Sequence, residues 1–118
     1  MRELEHNLQV GCVRWFRLQY PKLAGVLFAI PNGGWRNPTV AAKLKAEGVT
    51  PGVPDLFLAY PSGQYHGLFI ELKNGKQGRV SENQEKMHAE LRAQFYRVEV
   101  ARTAEEFVRV TQDYLRAF

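Results

Sequence analysis

Cysteine is nearly absent from this 118-residue chain. Cys12 stands alone, which excludes an intramolecular disulfide and any zinc site built from several cysteines. On the apolar face of a helix, it reads as a buried structural thiol. Long apolar runs are missing too, and none approaches the ~20 residues that a membrane span needs. The opening Met1-Arg2-Glu3-Leu4-Glu5-His6 lacks the charged-then-apolar layout of a secretory signal, so the chain is expected to stay in the cytoplasm. Its three histidines, His6, His66 and His88, have no ligand-like spacing and are assigned no chemistry. Repeats, low-complexity tracts and long linkers are also lacking, which predicts a single domain over residues 1–118.

What is present is ordinary for a globular protein. With 45% hydrophobic and 24% charged residues, the chain can bury one core and is neither disordered nor fibrous. Sixteen Lys and Arg against twelve Asp and Glu leave a net charge of +4 and a pI near 9.4. A modest basic excess suits a polyanionic partner without requiring one.

Leu4, Leu8, Cys12, Trp15 and Phe16 recur every three or four residues, predicting a helix over 2–20 that ends before Pro21. Leu27 to Ile30 reads as a strand closed by the turn signal Pro31-Asn32-Gly33-Gly34. Asn37-Pro38 reads as an N-cap with proline at the first helical position, and Gly48 closes that short helix. Two apolar strands follow, within Gly52 to Tyr60 and Gly67 to Lys73, connected through the five-residue turn Pro61-Ser62-Gly63-Gln64-Tyr65. Ser81-x-x-Gln84 has the spacing of a capping box. The helix it opens turns Gln84, Met87, His88, Leu91 and Phe95 inward. Tyr96 to Val100 alternates as a strand, and Thr103 caps a last helix. The order αβαββαβα predicts an α/β fold with helices around a mixed sheet of about four strands.

The chemistry is concentrated in the two central strands. If Tyr60 pairs with His66 across the loop, Asp55 faces Glu71, with β-carbons about 4.5–5.5 Å apart on one face of the sheet. Two carboxylates so close repel, and either a bridging cation or a raised pKa relieves them. Lys73, two residues beyond Glu71, emerges on the same face. Carboxylate oxygens with few other protein ligands suit Mg²⁺ or Mn²⁺, which keep several waters and take the rest from a phosphate. Such an ion polarises a phosphoryl oxygen and activates water while the lysine offsets developing charge, a setting for phosphodiester hydrolysis. The same spacing also fits a surface salt-bridge ladder on a strand edge.

Gly-Val-Pro-Asp55-Leu followed by Ile70-Glu71-Leu72-Lys73 resembles the PD-(D/E)XK nuclease motif. Glu5 and Gln9 on the first helix, Ile30-Pro31-Asn32-Gly33-Gly34 and Ser81-x-x-Gln84 extend the likeness to the VRR-NUC (virus-type replication-repair nuclease) branch, over nearly the whole chain. The resemblance implies a restriction-endonuclease-like core and a Mg²⁺- or Mn²⁺-dependent endodeoxyribonuclease. In it Asp55, Glu71 and the Leu72 carbonyl hold the metal, Glu5 reaches it directly or through water, Lys73 handles the attacking water, and Gln84 lies beside the site. Glu3 competes with Glu5, whose four-residue spacing to Gln9 matches the family pattern better. The resemblance also implies branched or flapped DNA, such as a Holliday junction, as substrate, a homodimer, a DNA-repair setting and an unidentified replication or helicase partner. Asn32, Arg36, Lys43, Lys76 and Arg79 are candidate phosphate contacts, and Trp35 a stacking residue. A non-catalytic nucleic-acid-binding module of the same fold is the competing reading.

Overall fold

The structure, a computed structural model, describes residues 2–31, 37–75 and 78–118. Among these described residues, four helices, one 3-10 segment and four strands follow one another in the predicted order. The first helix, α1 (Arg2–Gln19), buries Cys12 and Phe16 on its apolar stripe, while Leu4 at the start of that stripe stays exposed. A 3-10 turn opened by Pro21 leads into β1 (Leu27–Ala29). Helix α2 (Pro38–Ala46) begins where the Asn37 side chain accepts the Val40 N–H, and it buries no residue, in keeping with its thin apolar face.

The sheet order is β1-β2-β3-β4, with β2 (Leu56–Leu58) and β3 (Leu68–Leu72) at its centre and β4 (Arg97–Ala101) at one edge. The first three strands are antiparallel and the last pair is parallel. A parallel pair requires a crossover, which α3 (Glu82–Ala93) supplies. Leu56, Phe57 and Leu58 lie opposite Ile70, Phe69 and Leu68, the register that the five-residue loop predicts. That loop is anchored by Tyr114: Ser62 Oγ donates to the Tyr114 carbonyl at 2.6 Å, and Tyr114 Oη donates to the Tyr60 carbonyl at 2.7 Å.

Strand alternation divides the sheet into two faces. Leu27, Leu56, Leu58, Leu68, Ile70 and Leu72 form the main core with α1 and with Phe107 and Tyr114 of α4 (Ala104–Tyr114). Phe28, Phe57, Phe69 and Tyr96 form a row of packed rings on the other side, with centroids 4.3–5.7 Å apart along the row. Glu71 continues that second face, under α3. Phe95 does not belong to α3's inward surface as predicted: it lies past the helix end with φ 67° and is exposed. Among the described residues, no helix is long and apolar enough to cross a membrane.

Candidate active site

The site begins where a proline stops a ladder. Ile30 N–H donates to the Asp55 carbonyl and Ala59 N–H to the Val26 carbonyl, so odd-numbered residues of the β2 segment turn their backbone groups to β1 and even-numbered ones to β3. Continuing the register puts Pro54 opposite Leu72. Proline has no N–H to give the Leu72 carbonyl, and the Leu72 N–H instead donates to Asp55 Oδ2 at 2.7 Å. Asp55 is thereby fixed beside Glu71, as the register argument requires.

Glu71 is 3% exposed, which rules out a surface salt-bridge ladder. Its Oε2 accepts from Gln84 Nε2 at 3.0 Å and lies 3.8 Å from Lys73 Nζ. Burial, then the charge and carboxyl of the neighbouring Asp55, push the Glu71 carboxyl up to about 8; Lys73 pulls it down and Glu5 adds a small push upward. The ion pair with Lys73 and the raised pKa are compatible. At 3.8 Å the lysine makes no direct hydrogen bond, and desolvation with a neighbouring like charge outweighs it.

Lys73 leaves β3 through its N–H bond to the Ala101 carbonyl at 3.1 Å. The loop beyond it is fixed from β4: the Arg102 guanidinium donates to the Gly75 carbonyl at 2.9 Å and to the Gly78 carbonyl. Gly78 packs so tightly on the lysine that an added β-carbon would stand 2.9 Å from Lys73 Cβ.

Gln84 fulfils two roles with one amide. Its Oε1 accepts the Ser81 N–H at 2.9 Å while Ser81 Oγ accepts the Gln84 N–H, closing the capping box. Its Nε2 is left free to reach Glu71. A cleft of about 230 Å³ opens here, lined by Gly52, Val53, Asp55, Glu71, Ser81 and Gln84. Gly52 permits this approach: its φ is +90° and an added β-carbon would lie 2.4 Å from the Asn83 carbonyl oxygen. Gly52→Ala is therefore expected to destabilise the fold by at least about 2 kcal/mol, measured by urea denaturation. Wild-type stability would show that this approach is not held.

The remaining candidates are distributed unevenly. Glu5 is half-buried and its charge is felt at Glu71, whereas Glu3 is exposed. Gln9 faces a separate groove between α1 and β1. Lys43 and Arg79 are exposed and line no part of the cleft. Asn32, Trp35, Arg36 and Lys76 lie outside the described residues. Cys12 is buried, with its thiol pushed up to about 11 by desolvation, as befits an inert structural group.

His88, which its sequence spacing did not single out, faces the site. It is 3% exposed, and its Nε2 stands 3.6 Å from Glu71 Oε1. The available signal was its place one helical turn after Gln84 on the same face.

Among the described residues, no group of three or more His, Cys, Asp or Glu side chains converges to hold a metal, so Glu5 does not close a three-acid cluster with Asp55 and Glu71. The pair itself fits a hard cation. It offers adjacent carboxylates, a buried Glu71 oxygen without a partner and a carbonyl without a ladder donor, all oxygen ligands that suit an ion retaining much of its water.

The family model described as the VRR-NUC domain matches residues 5–105. A solved structure described as a VRR_NUC domain protein is similar to this chain with a TM-score of 0.84 and 29% identity, over 95% of this chain and 88% of its own. No curated protein matches the sequence.

Proposed function

Since the chain belongs to the VRR-NUC family of nuclease-type domains, we propose that it is a Mg²⁺- or Mn²⁺-dependent endodeoxyribonuclease of PD-(D/E)XK type that acts on branched or flapped DNA as a homodimer. The observation that carries this reading is the half-buried Asp55 beside the buried Glu71 at the end of a broken ladder, with Lys73 Nζ 3.8 Å from Glu71. A binding module has no use for two carboxylates that would repel phosphate without a cation.

In this reading Asp55, Glu71 and the Leu72 carbonyl hold the ion, and Glu5 reaches it through water. Bound there, the ion polarises a phosphoryl oxygen and lowers the pKa of water. Lys73 orients the attacking water and offsets the negative charge that develops on the phosphate. Gln84 fixes one oxygen of Glu71. Asn32, Arg36, Lys43, Lys76 and Arg79 contact backbone phosphates, which position the DNA without reading its sequence.

A twofold dimer would present two sites to symmetric strands of a junction. The face that supports it carries exposed Val10, Leu18 and Phe28 around the groove between α1 and the edge strand β1. The test is a panel of single-stranded, duplex, flap, fork and four-way DNA incubated with and without Mn²⁺. Metal-dependent product, favouring branched substrates, is the expected result. DNA retention with a steep salt dependence and no product on any substrate would favour the non-catalytic module instead.

A further inference from the structure

Two buried polar atoms face each other at the site, and neither has a hydrogen-bond partner: Glu71 Oε1 and His88 Nε2. Orphaned polar atoms in an interior are costly, so an unpaired acceptor and an unpaired nitrogen 3.6 Å apart call for an explanation. We infer that His88 is a positioning residue that donates Nε2–H to Glu71 Oε1 and, with Gln84 on Oε2, clamps the carboxylate from one face of α3 in the orientation that holds a divalent cation.

The inference rests on the metal-dependent reading above and adds a residue to it. Gln84 and His88 are four apart in α3, so one helix face presents two donors to the two oxygens of one carboxylate. With a divalent cation bound Glu71 is ionised, and an ionised carboxylate only accepts hydrogen bonds. The nitrogen that faces it must therefore carry the imidazole proton. Closing the pair to hydrogen-bond length takes about 0.7 Å, within reach of small torsions in both side chains. The opposite side of Glu71 faces Asp55, and with both oxygens held from α3 the glutamate cannot turn away from its partner. Groups that orient a metal ligand in this way typically contribute 10- to 100-fold in metal affinity.

The test measures Mn²⁺ binding by calorimetry for the wild-type protein, His88→Gln and His88→Leu, with thermal melts alongside. A glutamine amide nitrogen falls near the position of Nε2 and retains the donor, whereas leucine fills the space without one. Expected are binding within about threefold of wild type for the glutamine variant and a loss of about 10- to 100-fold for the leucine variant. A purely structural histidine would give the reverse, with leucine harmless to binding, and that result overturns the inference. Wild-type protein that takes up no Mn²⁺ would overturn the metal reading and this inference with it. Binding by wild type and leucine variant alike would overturn this inference alone. Should the leucine variant not fold, ¹⁵N NMR of the wild-type imidazole with Mg²⁺ bound decides: a proton on Nε2 supports the clamp, and a proton on Nδ1 overturns it.

Discussion

Asp55→Asn is expected to reduce Mn²⁺-supported DNA cleavage about 10³-fold, on the order of 4 kcal/mol of transition-state stabilisation, while leaving the protein folded. The asparagine oxygen can still accept the Leu72 N–H that Asp55 Oδ2 accepts at 2.7 Å, so the end of the ladder persists. What disappears is one of the two charges proposed to hold the ion. Lys73→Ala should lower the rate on a similar scale by a different route, since it removes the cation proposed to face the reacting phosphate and leaves both carboxylates in place. Single-turnover cleavage at saturating DNA, paired with urea melts, separates lost chemistry from lost structure. Cleavage that survives either substitution at near wild-type rate would remove the triad from the mechanism.

Glu71→Gln should invert the usual relation between activity and stability. In the metal-free protein the Glu71 carboxyl is pushed from 4.5 to about 8, chiefly by burial and then by Asp55. The folded state therefore holds a proton that the unfolded chain gives up near 4.5. Stability from this group is complete below that pH and is lost as pH rises toward about 8. At about 1.4 kcal/mol per pKa unit, several kcal/mol are at stake across that window. Glutamine has no such titration and can donate to Asp55. The variant should be inactive, yet more stable than metal-free wild type at pH 8, with the gap closing by pH 5. Mn²⁺ should narrow the gap from the wild-type side only. Urea denaturation at pH 5, 6.5 and 8, with EDTA or with Mn²⁺, reads this directly. Parallel stability profiles for the two proteins would mean that Glu71 is not a strained acid.

Much of this arrangement was legible in sequence because it depends on short-range rules. The five-residue loop and strand alternation place Asp55 opposite Glu71, and the observed pairs from Leu56–Ile70 to Leu58–Leu68 continue that register. The capping box needs only Ser81 and Gln84, three residues apart. What escaped depends on how distant elements cross. His88 lies 17 residues from Glu71, and nothing in helix periodicity sets how deeply α3 seats on the sheet. Arg102 holds the loop after Lys73 across 24 and 27 residues. Burial was the other gap. Leu4 and Phe95 fit the apolar patterns of their helices, yet both are exposed. Strand pattern also could not show that Glu71 sits among fully buried neighbours rather than at a wetted edge.

The double duty of Gln84 narrows what evolution or design can place there. A helix start of this kind accepts glutamate as readily as glutamine at the third position, since either oxygen can close the box. Here the far atom of the same side chain touches Glu71 Oε2 at 3.0 Å. Glutamate would satisfy the helix and set a third negative charge against a carboxyl already crowded by Asp55. One amide bond thus separates two residues that are synonyms for secondary structure and opposites for the site. Position 84 sorts functional from merely foldable sequences in a way that its helix propensity cannot.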